Sequence, residues 1–108
     1  MLHSEHRQHK RYLTEGKVLV RTVGGQFVAE LVDLGKAGAL LLAGGDFVKV
    51  GEEIDVHLAI RNYPVAIETR GRVIRIDSNA IGIVFVDPPV ELDKSILWLE
   101  SGFLSALF

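Results

Sequence analysis

The chain has 108 residues, the size of one domain able to bury its own core. Twelve Lys and Arg against fourteen Asp and Glu leave a net charge of −2, without the global basic excess of a nucleic-acid binder or the acidic excess of a disordered tail, and the absence of cysteine excludes disulfides, thiolate metal sites and cysteine nucleophiles. The longest apolar runs, Ala37–Ala43 and Ile81–Val86, fall far short of the ~20 residues of a membrane span, and the N-terminus has no apolar signal core, so a cytoplasmic protein without membrane insertion is expected.

Residues 1–14 are polar and lack strand or helix periodicity, which predicts a flexible arm. Residues 1–21 hold Arg7, Lys10, Arg11, Lys17 and Arg21 against Glu5 and Glu15, a local +3 that leaves −5 on the rest. The arm also carries His3, His6 and His9. Nothing there would orient the imidazoles as a metal site requires, so neither a metal nor a cofactor is expected.

Lys17–Val23 reads as a strand ending at Gly24-Gly25, a short-hairpin signal, and Gln26–Leu34 as its partner. Asp33–Gly38 then interrupts the apolar pattern. Ala39–Leu42 reads as a short buried strand stopped by Gly44-Gly45-Asp46, and Ile54–Ile60 alternates as a half-buried strand does. After a turn at Arg61–Pro64, Val65–Ile76 is a long strand with a bulge or bend expected at Gly71. Asp77-Ser78-Asn79 turns the chain into a last strand, Ala80–Val86. About six strands at ~10-residue spacing predict an all-β domain, a small antiparallel barrel or sandwich.

Pro88-Pro89 precedes a predicted helix over Glu91–Leu107, with Leu92, Ile96, Leu99, Phe103 and Leu107 on one face against the strands. A second stripe, Leu97, Leu104 and Phe108, is either buried in a groove or a contact for a homodimer or an effector protein. The domain reading is therefore an arm over 1–14 and a single β-domain over 15–108, its helix at about 91–107. No G-x-S-x-G, P-loop or G-x-G-x-x-G is present and the acidic residues show no catalytic pairing, so an enzyme is not expected.

Two local features remain. Arg7-Gln8-His9-Lys10-Arg11 forms R-x-x-x-R, and Asp33-Leu34-Gly35-Lys36-Ala37-Gly38 forms D-x-G-x-x-G. Alone, the first is a solvated basic arm and the second a turn. Together, in this order on a β frame, they resemble the PilZ domain, whose signature is R-x-x-x-R followed by [D/N]-x-S-x-x-G. Arg7, Arg11, Asp33 and Gly38 match it, and Gly35 stands where Ser is usual. Gly71–Arg75 followed by Ile81–Phe85 is similar to the family's closing strands.

The resemblance implies a six-stranded antiparallel β-barrel with a C-terminal helix, and a bacterial receptor for cyclic di-GMP acting in motility, biofilm or exopolysaccharide control. It implies Arg7, Arg11, Asp33, Gly35 and Gly38 as ligand residues. The chemistry suits them, because the planar guanidinium fork grips phosphate oxygens or the O6/N7 edge of guanine. Loss of the Ser hydroxyl at Gly35 is expected to weaken binding by up to roughly tenfold. The long strand offers no aromatic, but Arg70, Arg72 and Arg75 can stack on a base, and alternation sets Arg75 on the face opposite the other two. Signalling would proceed by ordering of the arm and contact with an unknown effector. One alternative is a degenerate member of the family that binds no nucleotide and serves as a protein-interaction module in pilus or secretion assembly. A single-stranded nucleic-acid barrel is disfavoured by the acidic charge and by Tyr12 and Tyr63, which form no stacking platform, so no DNA or RNA partner is expected.

Overall fold

The structure is a computed structural model and describes residues 10–106. Six antiparallel strands are formed: β1 (Arg11–Thr22), β2 (Gly25–Gly35), β3 (Gly38–Leu42), β4 (Glu53–Ile60), β5 (Ile67–Ile76) and β6 (Ala80–Val86). They close in the order β1-β2-β3-β6-β5-β4, with β1 paired to both β2 and β4. Closure decides between the barrel and sandwich alternatives, and each of the six described strands pairs with a neighbour on both sides. A 3₁₀ turn at Gly45–Phe47, not foreseen in the sequence, bridges β3 and β4. The helix α1 (Val90–Ala106) follows β6.

Two-residue periodicity builds the core. Along β4, Ile54, Val56, Leu58 and Ile60 are buried while Glu53, Asp55 and Ala59 face out. The same alternation buries Val18 and Val20 of β1, Val73 of β5 and Ile81 and Ile83 of β6. Each such side chain contributes roughly 1.5–3 kcal/mol by leaving water. The helix adds Leu92 and Ile96 to this core, and Trp98 packs on Tyr63 with ring centroids 5.0 Å apart. Of the rest of its expected inner face, Leu99 is partly buried, whereas the Phe103 side chain and Leu107 lie outside the described residues. No helix of the described residues is long and apolar enough to cross a membrane.

Beyond shifts of one or two residues at element ends, such as β5 starting at Ile67 rather than Val65, three features differ from the sequence expectation. Residues 11–14, assigned to the arm, belong to β1, where Arg11, Tyr12 and Leu13 pair with Gly35, Leu34 and Asp33. This pairing is made by backbone groups, so the polar side chains hide it; of the three, only Tyr12 packs against the core. The first hairpin closes with Thr22 opposite Gly25, so its loop is Val23-Gly24 rather than Gly24-Gly25, with Gly25 taking the positive φ of 145°. The bulge expected at Gly71 is absent there. Gly71 pairs regularly with Ile54 and Phe85, and the extra residue of β5 is Ile74, which has no counterpart on β6. A Cβ at 71 would meet the Ile83 side chain at 3.2 Å, which accounts for the glycine by close packing.

Candidate ligand-binding site

Strict alternation along β2 would place Asp33 on the same face as buried Ala29 and Leu31. A bulge prevents this. Leu31 pairs with Leu41 and Asp33 with Leu40, so Val32 is unmatched on β3. The extra residue resets the alternation, turning Leu34 into the core and Asp33 outward. There Asp33 meets Arg11, the first residue of β1. Arg11 donates from Nε at 3.0 Å and from an Nη at 2.7 Å to the same Oδ1 of Asp33. The Arg11 side chain is about half exposed, at 49%, so the pair is a weak stabiliser, worth at most about 1 kcal/mol. Its value lies in holding a guanidinium at a defined place on the outer face of the barrel.

Beside this pair is an open cavity of about 320 Å³ on the outer face of β3, β5 and β6. Arg11, Gly35, Gly38, Gly82, Ile74 and Arg75 are among the residues lining it. Arg11, Gly35 and Gly38 of the motif are therefore brought to one cavity, with Asp33 behind Arg11. Arg7 and the three arm histidines lie outside the described residues. Among the described residues no cluster of three or more His, Asp or Glu could hold a metal ion.

The two motif glycines also serve the backbone. At Gly38 a Cβ would fall 2.2 Å from the Ile83 carbonyl oxygen, and at Gly35 it would fall 2.7 Å from the Lys10 carbonyl oxygen. Both are distances that real Cβ atoms do not adopt. A serine at 35 would therefore press against the start of β1, and the departure from the usual Ser fits this chain's close approach of Lys10. Between these glycines, the Ala37 carbonyl accepts the Phe85 amide at 2.8 Å, fastening the β2–β3 turn to β6.

The three arginines of β5 separate. Arg72 donates to Glu53 at 2.6 Å, and Arg70 lies between Asp55 at 3.5 Å and Glu53 at 4.0 Å. These pairs run across β4 and β5. Arg70 lines a different surface depression of about 490 Å³, with Arg21, Asp55, His57 and Glu68. That depression is larger, but its Arg70 and His57 face carboxylates of their own sheet, as with His57 Nδ1 at 3.3 Å from Glu68. Arg75 alone of the three lines the cavity beside Arg11. The expectation that it faces opposite to Arg70 and Arg72 fails because the bulge at Ile74 shifts the alternation, and Ile74 and Arg75 are both exposed.

Tyr12, next to Arg11, connects this site to the helix. Its hydroxyl donates to Glu100 of α1. That hydrogen bond, with burial and the Glu100 charge adding to it, raises the Tyr12 pKa above the ordinary value of 10.0. The folded state thus holds the phenol proton more tightly than the unfolded chain. The contact contributes its full stability below about pH 10 and loses it as pH rises through the raised folded value. The emission of Trp98, the only tryptophan, two residues from Glu100, is expected to report loosening of α1 above pH 10. Tyr12→Phe is expected to remove that alkaline transition; an unchanged transition would place its origin elsewhere. On the outer side of α1, Leu97 is 59% exposed, while the Leu104 side chain and Phe108 lie outside the described residues.

The family model described as the PilZ domain matches residues 5–99. Among solved structures, the inhibitor of motility from Bacillus subtilis (MotI/DgrA) superposes with a TM-score of 0.79 at 13% identity, covering 92% of this chain and 52% of that one. The chain thus spans about half the length of that protein. The PilZ domain of CeSA from a cellulose-synthesising bacterium gives 0.63 at 17% identity, covering 87% and 97%. An uncharacterised Legionella protein gives 0.58 at 19% identity, covering 92% and 99%. At these identities the structures speak for the fold. No curated protein matches the sequence significantly.

Proposed function

The chain belongs to the PilZ domain family, a family of cyclic di-GMP receptors, and from that premise we propose that it binds cyclic di-GMP at the cavity beside Arg11. The observation that carries the reading is the Arg11–Asp33 pair at the rim of an open cavity lined by Gly35 and Gly38. A guanidinium there can grip a phosphate or the O6/N7 edge of guanine, and Asp33 can accept from guanine N–H donors while orienting Arg11. The two glycines carry no side chain that would hold the ligand off the backbone. Arg7 precedes Arg11 by four residues, a tether of at most about 14 Å, which allows it to close over the same ligand.

In this reading the ligand's two phosphates offset the positive N-terminal segment and order it. The changed surface then contacts an effector protein in control of motility, biofilm or exopolysaccharide. Calorimetric titration of the full chain with cyclic di-GMP tests the first step, and a dissociation constant near micromolar, about 8 kcal/mol, is expected. No heat of binding at a hundredfold higher concentration would overturn it. A second reading, a family member that binds no nucleotide and acts only by protein contact, draws on Gly35 in place of the usual Ser. The same titration decides between them.

A further inference from the structure

β2 outruns its neighbour on one side. It pairs with β1 from Gly25 to Gly35, but with β3 only from Glu30 onward. After Leu42 the chain bends away, and the Ala43 amide donates to the Asn79 carbonyl at 2.8 Å. Gly25–Ala29 therefore has no strand beside it on the β3 side. Bonded and non-bonded pairs alternate along an antiparallel ladder, here starting from Thr22 and Gly25, the bonded pair that closes the two-residue loop. Gly25, Phe27 and Ala29 thus turn their N–H and C=O groups to β1, and Gln26 and Val28 turn theirs to the open side. Among the described residues no turn or loop backbone group bonds to either of them. Proteins ordinarily blunt such an edge with Lys, Pro or a bulge. Gly25–Ala29 has none of these and carries no charge. Its surroundings are apolar. Val28 is 64% exposed and Phe47 68%, and Val23 at the hairpin tip is almost fully exposed.

We propose that this edge is a self-association surface, at which two copies of the chain join β2 to β2 in antiparallel register about a two-fold axis at Phe27. Gln26 then stands opposite Val28 of the second copy, and Val28 opposite its Gln26, so every free N–H and C=O gains a partner. Phe27 meets its own counterpart at a non-bonded pair, where Cα atoms are about 4.5 Å apart and side chains touch. Phe47, whose ring centroid lies 5.6 Å from that of Phe27, extends the aromatic cluster in each copy. Glu30, the nearest charged residue of β2, falls opposite Gly24 of the second copy, so no like charges meet across the seam. A strand from another protein would have to bring this complement, whereas a second copy has it by symmetry. The seam lies at the Thr22–Gly25 end of the β1–β2 pair, and Arg11 and Gly35 lie at the other. The association therefore leaves the cavity open and stands independently of the nucleotide reading.

The test is sedimentation equilibrium of the full chain from micromolar to millimolar concentration. So short an edge makes an interface below the roughly 1,200 Å² of stable complexes, and a dimer with a dissociation constant of about 100 μM is expected. Val28→Lys keeps the backbone and sets two ammonium groups diagonally across the seam. Val28→Pro removes an N–H that the seam uses and the β1 ladder does not. Each is expected to raise the dissociation constant about tenfold or more, with the melting temperature of Val28→Lys staying near that of wild type as the check on folding. Leu97→Lys, on the outer side of α1, is expected to associate as wild type does. In hydrogen exchange, protection of the Gln26 and Val28 amides is expected to rise with protein concentration. A wild-type chain that stays monomeric at millimolar concentration overturns the proposal and leaves the edge to an extended segment of another protein. Association that survives both Val28 variants, or that Leu97→Lys abolishes, places the contact elsewhere and overturns it as well.

Discussion

Arg11→Ala is expected to weaken cyclic di-GMP binding by about two orders of magnitude while leaving the fold intact. The barrel does not depend on this side chain. Arg11 is the first residue of β1, its side chain is half exposed, and its ion pair with Asp33 contributes little to stability. In the proposed function the ligand would depend on it heavily. Two charge-assisted hydrogen bonds from one guanidinium contribute about 1.5–3 kcal/mol each, and the loss of about 3 kcal/mol in total is somewhat more than a hundredfold in affinity. Removing Arg11 also leaves Asp33, only 18% exposed, facing an incoming dianion without its counter-charge. Calorimetry reads the affinity and thermal unfolding reads the fold. Wild-type affinity in this variant would remove the Arg11–Asp33 rim from the binding site.

Gly38→Ala is expected to act in the opposite way, through the fold first. A Cβ at this residue would stand 2.2 Å from the Ile83 carbonyl oxygen, a backbone atom of β6 that cannot swing aside as a side chain can. β3 has only five residues, and Gly38 begins its ladder with β6, opposite Val84. To relieve the clash the two strands must separate where β3 and β6 meet, which weakens the ladder there. Overpacking of this kind costs about 3 kcal/mol, a fall in melting temperature of roughly 12–20 °C for a domain of this size. Gly44→Ala is the control. No atom lies within 4 Å of a Cβ there and its φ of −66° is open to any residue, so its melting temperature is expected to stay near that of wild type. A wild-type melting temperature for Gly38→Ala would mean that the strands do not approach this closely, and would return Gly38 to a role in ligand contact alone.

The two substitutions separate two reasons for a residue to stand in the same motif. On the proposed function Arg11 presents a group to a ligand, and its backbone would serve equally with another side chain. Gly38 is needed for the absence of a side chain, and the strand seam needs that absence before any ligand does. Gly35 shares this double character. The serine usual at its place would bring a hydroxyl for the ligand, but its Cβ would press on the Lys10 carbonyl in this chain.

The amino-acid sequence by itself determined the number and approximate extent of the strands, the C-terminal helix and the two halves of the motif. These are local properties. Side chains alternate across a strand every two residues, so Ile54, Val56, Leu58 and Ile60 announce β4 without reference to any other part of the chain. Leu92 and Ile96 do the same for the helix at its own period. Tertiary structure alone decided which way Asp33 and Arg75 face and where β1 begins. Alternation in the sequence points Asp33 inward with Leu31, and Arg75 away from Arg70 and Arg72. Each is reversed by one unmatched residue, Val32 or Ile74. A bulge records a mismatch of register between two strands, and that register is set by the requirement that six strands close on one another, a condition no single strand carries. The start of β1 at Arg11 has the same origin, because what holds residues 11–13 in a strand is the backbone of Asp33–Gly35, twenty or more residues further along the chain.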